Sequence, residues 1–228
     1  MNLTIAPNVL VGRLAAEHPA STRVFARHGI DFCCGGGRPL EQVCRERGLD
    51  PAAVVSEIEE VLAEPDRGAA RWGAVPLTEV IRHIVIVFHE PHREELSRLD
   101  AMARKVLAVH GEKDPERLGE LAGIVGELRA DLQQHMAKEE SVLFPMIASG
   151  HGAMAGGPVA VMVAEHETAG AMLRRIRELT DDYRLPEGAC NTWRALWHGL
   201  ERFERDLHEH VHLENNVLFP RALGRQVA

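Results

Sequence analysis

The sequence predicts an all-α protein in which a small helical unit precedes an up-down four-helix bundle. Long stretches are rich in Ala, Leu, Glu and Arg, which are strong helix formers. In the second part of the chain, apolar residues recur at spacings of three and four, as they do along one face of a helix. The segments between these stretches are short, so neighbouring helices should run antiparallel.

The first predicted domain covers residues 1–68. Its centre is the stretch Asp31-Phe-Cys-Cys-Gly-Gly-Gly37, which must be a loop because consecutive glycines are poor helix formers. A polar linker at 64–68 ends the domain. Short helices are expected near residues 10–18 and 20–28, from Leu40, and from Pro51, where Asp50 precedes a proline at the first helical position.

The second predicted domain covers residues 69–228 and contains the bundle. Gly111 ends the first long helix, and a loop rich in Gly, His and Ala at 149–157 separates the second from the third. The four long helices are expected at about 77–110, 115–147, 158–182 and 187–223.

The bundle sequence repeats itself. The segment His135-Met-Ala-Lys-Glu139-Glu-Ser-Val-Leu-Phe-Pro145 recurs 75 residues later as His210-Val-His-Leu-Glu214-Asn-Asn-Val-Leu-Phe-Pro220, with six of eleven positions identical. His89-Glu90 and His166-Glu167 form a second pair, 77 residues apart. The first two helices and the last two therefore look like two copies of one hairpin.

Each bundle helix places a histidine on its apolar stripe, and two of them add a glutamate four residues later. The stripe of the first helix begins at Ile81 and Val85, and that of the second ends at Val142 and Met146. Buried carboxylates are costly unless they are paired or bind cations. A hydrogen-bonded polar core is one interpretation, but four matched helices favour a metal site. The candidate ligands are His89, His135, Glu139, His166, His210 and Glu214.

Six ligands exceed the four of a structural zinc site, so two ions fit better than one. Glu139 and Glu214 can each offer one oxygen to each ion, which would bridge the pair. Two histidines, two carboxylate oxygens and an oxo or hydroxo bridge then leave one open position at each ion. Mixed imidazole and carboxylate ligands suit non-haem iron, while manganese and zinc stay open.

These motifs resemble a hemerythrin-like domain, and the Cys-Cys-Gly-Gly loop in a small N-terminal domain narrows the likeness to the iron–sulfur cluster repair di-iron proteins. The resemblance covers nearly the whole chain. It implies repair of iron–sulfur clusters damaged by nitric oxide or peroxide, by delivery of iron from the di-iron centre. Damaged or apo iron–sulfur proteins would be the partners, and Cys33 and Cys34 would assist iron transfer or redox chemistry.

This chain differs from the oxygen-carrying hemerythrins in the number of histidines that can fill coordination positions at the metal. Oxygen-carrying hemerythrins have a second histidine one turn along the third helix, and this chain has Gly170 there. That difference argues against reversible oxygen storage. Two alternatives remain: the centre reduces nitric oxide as an enzyme, or it serves as a sensor or store for nitric oxide, oxygen or iron. Whether the protein is an enzyme is therefore open.

Several residues invite other interpretations. Cys33 and Cys34 can also be read as small buried residues, and Cys44 and Cys190 are assigned structural roles. His208-Glu209-x-x-His212 fits a zinc-protease motif, but a helical projection places His208 and His212 with Glu204 on the solvent face. His92 is predicted to lie in the core or to support a metal ligand, and His110 to end a helix. Pro91 is predicted to kink the first long helix.

Composition excludes several classes of function. The net charge is −8 and no basic run appears, which argues against nucleic-acid binding. No apolar stretch reaches the roughly 20 residues of a membrane span. The N-terminus lacks a basic segment before an apolar core, so the protein is expected in the cytoplasm. The oligomeric state is open, with a homodimer as one alternative.

Overall fold

The protein is all-α. A computed structural model describes residues 5–6, 8–33, 35–63, 72 and 74–224. Within these ranges the β contacts are limited to an isolated bridge between Leu10 and Pro39. None of the described helices is both long and apolar enough to cross a lipid bilayer. Cys34 and the predicted linker at 64–68 lie outside the described residues.

Four short helices come first, close to the predicted positions. They are α1 (Val11–Glu17), α2 (Ser21–Arg27), α3 (Leu40–Glu46) and α4 (Pro51–Ala63). The Asp50 side chain accepts a hydrogen bond from the Ala52 N–H (3.0 Å), which caps α4 as the sequence predicts.

Four long helices follow, and three of them contain a π-helical turn. Helix α5 runs through Leu77–His83, a π turn at Ile84–His89 and Glu90–His110. Helix α6 runs through Pro115–Lys138, a π turn at Glu139–Leu143 and Phe144–Ala148. Helix α7 is Gly156–Leu179, and α8 runs through Asn191–Leu213, a π turn at Glu214–Leu218 and Phe219–Ala222.

The chain divides into two compact units. The first comprises the described residues within Met1–Ile81, Ile147–Gly156 and His208–Ala228. Its core is a cluster of apolar side chains from the four short helices, including Val11, Val24, Phe25, Leu40 and Ile58, all fully buried. Helix α1 also packs on the π turn of α8 within this unit. The division at residue 68 predicted from the sequence stays a prediction.

The second unit, Arg82–Met146 and Gly157–Leu207, contains the bundle. Each of its helices contacts two others, so the four close into a ring. Arg129 on α6 donates to Asp100 on α5 (2.6 Å), and Arg175 on α7 binds Glu120 on α6 (2.7 and 2.9 Å). Arg177 on α7 binds Glu204 on α8, and the rings of His92 on α5 and Phe203 on α8 lie 5.0 Å apart.

Each π turn lies just before a proline. Pro91, Pro145 and Pro220 cannot donate a backbone hydrogen bond, and their rings crowd the carbonyl four residues earlier. In each case the residue before the proline donates its N–H to the carbonyl five residues back: Glu90 to Val85, Phe144 to Glu139 and Phe219 to Glu214. The kink predicted at Pro91 therefore takes the form of a widened turn.

The π turns shift the buried stripe by one residue. In α5, Val80 before the turn and Ile84 and Phe88 within it are buried, whereas Ile81 and Val85 are only half-buried. In α6 Val142 is 56% exposed and Leu143 is buried. The predicted stripes are wrong at these positions because they assume 3.6 residues per turn throughout, and a π turn adds one residue.

Candidate metal centre

All six candidate ligands are buried, none with more than 2% of its surface exposed. They belong to two overlapping groups in which every residue offers a ligand atom within 4.8 Å of the others. The first group is His89, Glu139, His210 and Glu214. The second is His135, Glu139, His166 and Glu214. The glutamates are common to both groups, and the histidines are divided between them.

Within the bundle the imidazole Nε2 atoms converge. Glu139 Oε2 lies 3.4 Å from His89 Nε2 and 3.3 Å from His135 Nε2. The Nε2 atoms of His135 and His166 are 3.0 Å apart. Along α8, His210 Nε2 lies 3.0 Å from Glu214 Oε1, because residues four apart in a helix share a face.

These distances suit donors to a shared cation. Two ligand atoms about 2.1 Å from one ion, bonded at right angles, lie roughly 3 Å from each other. Imidazole nitrogens and carboxylate oxygens together suit iron among the common metals. The positive charge of a bound cation would also offset the burial of Glu139 and Glu214. The donor set and its spacing therefore fit a metal site.

Two further carboxylates hold the outer nitrogens of two histidines. His89 Nδ1 lies 2.7 Å from Glu140 Oε1, and His135 Nδ1 lies 2.9 Å from Glu165 Oε2. These contacts orient each ring with Nε2 towards the cluster, as metal-binding histidines commonly require. Sequence reasoning missed both glutamates, although Glu140 directly follows Glu139 and Glu165 directly precedes His166.

Both outer carboxylates are held ionised. Burial alone raises the pKa of Glu140, but hydrogen bonds and positive charge from Arg93 and His89 bring it below its usual value. Burial likewise raises the pKa of Glu165, and Lys138 with His135 lowers it overall. An ionised partner at Nδ1 makes each imidazole a better metal ligand.

A polar cleft lies beside His135, a member of the second metal group. The cleft lies between α6 and α7 and has a volume of about 250 Å³. Its lining includes two carboxylates, a lysine and the His135 ring, and the residues concerned are Asp131, Leu132, Gln134, His135, Lys138, Glu165, Thr168 and Ala169. The cleft therefore borders one candidate ligand, and Lys138 pairs with Glu165 in its lining.

His92 and His110 join neither metal group. His92 is buried between the rings of Phe88 (5.9 Å) and Phe203 (5.0 Å), so it is a core histidine. His110 ends α5 as predicted, with its Nε2 3.2 Å from Cys190 Sγ. Cys44 is buried, whereas Cys190 is exposed. The exposure of Cys190 does not support the structural role assigned to it.

The solvent face predicted for α8 is wrong at two residues. Glu204 is buried because it binds Arg177 and accepts a hydrogen bond from Tyr183 Oη (2.9 Å). His212 is buried with its ring 5.6 Å from that of Phe32. Burial lowers the pKa of His212 to about 4, despite hydrogen bonds with the backbone of Phe32 and Ala15.

His208 is half-buried with its ring 6.1 Å from that of Phe32. Neither His208 nor His212 belongs to a metal group among the described residues. The zinc-protease interpretation therefore gains no support.

Asp31 organises the cysteine loop. Its Oδ1 accepts hydrogen bonds from the Cys33 N–H (3.1 Å) and from the Cys33 thiol (3.2 Å), and Cys33 is buried. Burial raises the pKa of Asp31, but hydrogen bonds from Gly35 and Cys33 and the charge of His208 bring it below its usual value. Sequence reasoning did not single out Asp31 as a functional residue.

Comparison with known proteins agrees with this geometry. Residues 80–222 match the family described as Hemerythrin HHE cation binding domain. Residues 8–62 match ScdA_N, a domain of unknown function. The chain is 45% identical over 216 residues to proteins named iron–sulfur cluster repair protein YtfE from Yersinia pseudotuberculosis (serotype IB, strain PB1/+) and Yersinia pestis (strain Pestoides F). Each alignment covers 95% of this chain and 97% of the relative.

The outer carboxylates generate a prediction about metal affinity. Glu140→Ala and Glu165→Ala should each weaken metal binding about 10- to 100-fold, because His89 and His135 lose the partner that orients them. Competition against a chelator of known affinity measures the change. Glu167→Ala, an exposed glutamate beside His166, is the matched control. Affinities equal to that of the control would show that the outer carboxylates do not support the ligands.

Proposed function

Because the chain belongs to the family of iron–sulfur cluster repair proteins and carries a hemerythrin HHE cation binding domain, we propose that it holds two iron ions and delivers iron to damaged iron–sulfur clusters. The observation that carries this proposal is the presence of Glu139 and Glu214 in both metal groups. Two carboxylates available to two groups of histidines are suited to a pair of ions rather than to a single one.

In this proposal His89 and His210 bind one iron, and His135 and His166 bind the other. Glu139 and Glu214 each bind both ions and so bridge them, while an oxo or hydroxo bridge stays a prediction. When bound, iron supplies open positions that small ligands such as nitric oxide or oxygen can occupy. Gly170 has no side chain to fill such a position.

For delivery, the iron is the cargo and the ligands must let it leave. Protons and metal ions compete for imidazoles and carboxylates. These groups therefore take up protons when the iron leaves. The cleft beside His135 carries the carboxylates of Asp131 and Glu165, which are oxygen ligands for a departing iron ion. Glu165 also contacts His135, so the same side chain lines the cleft and holds a candidate iron ligand.

The acceptors are iron–sulfur proteins in general, since repair requires a damaged or apo cluster as the recipient of iron. Such clusters are held by cysteine thiolates. In our proposal Cys33 and Cys34 assist the transfer, because thiols can compete for iron with the nitrogen and oxygen ligands. A location in the cytoplasm and a homodimer stay predictions.

A nitric oxide reductase or a gas sensor is the alternative function at the same site. The feature that favours it is Gly170, one turn beyond His166 on α7, at a position where oxygen-carrying hemerythrins have a further histidine. Sustained consumption of nitric oxide with an electron donor would favour the enzyme. Stable gas binding without loss of iron would favour the sensor.

The bridging role predicts a ranking of variants. Glu139→Ala or Glu214→Ala should lose more iron than His89→Ala, His135→Ala, His166→Ala or His210→Ala, because each glutamate would serve both ions. Iron per chain after gel filtration, with the visible absorption of the centre, measures the loss. A glutamate variant that keeps two irons and an unchanged spectrum would contradict bridging.

The transfer role predicts an effect of the loop cysteines. The double variant Cys33→Ala/Cys34→Ala should keep its iron and spectrum but deliver iron to an apo cluster protein about tenfold more slowly, equal to about 1.4 kcal/mol in the barrier. The assay compares proteins loaded with equal iron and follows cluster absorption in the acceptor.

Cys190→Ala is the matched control, since it removes an exposed thiol on a different segment. If wild-type protein delivers no iron, the repair proposal is wrong. Equal rates for wild type and the double variant would remove the cysteines from the transfer step. Loss of the spectrum in the double variant would show that the thiols support the site itself.

A further inference from the structure

The two sequence repeats differ where α8 meets the cysteine loop. The ligands His135 and Glu139 recur as His210 and Glu214, whereas Ala137 is replaced by His212 and Ser141 by Asn216. Ser141 Oγ donates within its own helix, to the Ala137 carbonyl (2.6 Å). Asn216 instead bonds outside its helix. The second copy of the repeat thus preserves the ligands and changes two side chains that contact the cysteine loop.

The Asn216 amide joins α8 to the loop that carries the cysteines. Its Nδ2 lies 3.3 Å from the Phe32 carbonyl oxygen and 3.4 Å from that of Cys33. It also lies 3.1 Å from His212 Nδ1, which is the acceptor in that contact. The two N–H bonds of one amide are therefore shared among three acceptors, two of which lie on the loop.

The oxygen side of the same amide fits a gap that two glycines leave. A Cβ atom at Gly12 would lie 2.5 Å from Asn216 Oδ1, and one at Gly36 would lie 3.2 Å from it. The Gly12 N–H also donates to the Gly36 carbonyl (2.8 Å). Any side chain at Gly12 would therefore collide with the amide, and the three segments meet at Asn216.

Asn216 also lies in the π turn that starts at Glu214. One turn of backbone thus carries both the carboxylate of a candidate ligand and the amide that contacts the loop. One residue, Asn215, lies between Glu214 and Asn216 along α8. A change in this turn would move both Glu214 and Asn216. Because Asn216 contacts the carbonyls of Phe32 and Cys33, it holds the loop next to the turn that carries Glu214.

We propose that Asn216 is a positioning residue for iron transfer, which holds the Cys33 loop against the turn of α8 that carries Glu214. This inference rests on the proposed delivery of iron through the loop cysteines. Asn216 touches no reacting atom and makes or breaks no covalent bond in the transfer. It acts through the peptide carbonyls of Phe32 and Cys33.

The test uses full-length, iron-loaded protein in a Cys190→Ser background. Removal of the exposed Cys190 leaves alkylation by iodoacetamide to report on release of the Cys33 loop. Cys44 stays protected because it belongs to the apolar core of the first unit, where burial raises the pKa of its thiol. The key variant is Asn216→Asp, which keeps the size of the side chain but replaces the donor with an acceptor facing two carbonyls. Asn215→Asp makes the same charge change at the neighbouring residue and is the matched control.

Asn216→Asp should keep the iron content of the background protein, deliver iron about tenfold more slowly and be alkylated about tenfold faster. A tenfold change in rate corresponds to about 1.4 kcal/mol, which is within the range that the loss of a hydrogen bond costs. Asn215→Asp should match the background in all three measurements. Asn216→Ala tests the same lost donors without added charge, in case the aspartate variant does not fold. Variants of Asn216 that alkylate and transfer like Asn215→Asp would overturn the proposal.

A general loss of stability must give a different result. Val24→Ala removes buried volume from the core of the first unit without touching the amide. Its transfer and alkylation rates should stay near those of the background at a temperature where it is folded. Rates that track thermal stability across all variants would overturn the positioning role. If the background protein loads iron but delivers none, the proposed function fails, and the alkylation rates alone then decide whether Asn216 holds the loop.

Discussion

The constraint on which this structure depends is the burial of two glutamates, Glu139 and Glu214, in the interior of a helical protein. Moving a carboxylate out of water costs several kcal/mol unless a positive charge compensates for it. Four buried histidines are neutral ligands and cannot supply that compensation while they bind a metal. Two cations shared by both carboxylates would supply it, and the overlap of the two metal groups provides the place.

The local helical geometry follows the same site. The π turns of α6 and α8 start at Glu139 and Glu214, and that of α5 ends at His89. A proline follows each turn and prevents an ordinary α-helical bond at that point. Glu140 and Glu165 then orient His89 and His135 from outside. In α8, His212 and Asn216 stand where α6 has Ala137 and Ser141, and both contact the cysteine loop. The side chains around the repeated motif thus orient candidate ligands near α6 and contact the cysteine loop near α8.

Much of this could be predicted from the sequence, because periodic apolar residues and the repeated His-x-x-x-Glu motif report directly on helix faces. The six candidate ligands, which the sequence places on apolar helix stripes, are all buried. The helical projection was wrong where the structure departs from its two assumptions. It assumes a constant turn, so it misplaced Val142 and Ile81, and it assumes that a polar face meets water, so it misplaced His212 and Glu204. The contacts of Asn216 depend on residues far apart in the chain, and no local pattern reports them.

The most direct test of the account is a crystal structure of the iron-loaded protein with anomalous diffraction measured at the iron edge. The account predicts two iron peaks about 3.5–4 Å apart, each bound by two of the four histidines and by an oxygen from both Glu139 and Glu214. Data collected at the manganese and zinc edges identify any competing metal. A single peak, or two peaks that do not share both glutamates, would contradict the central claim.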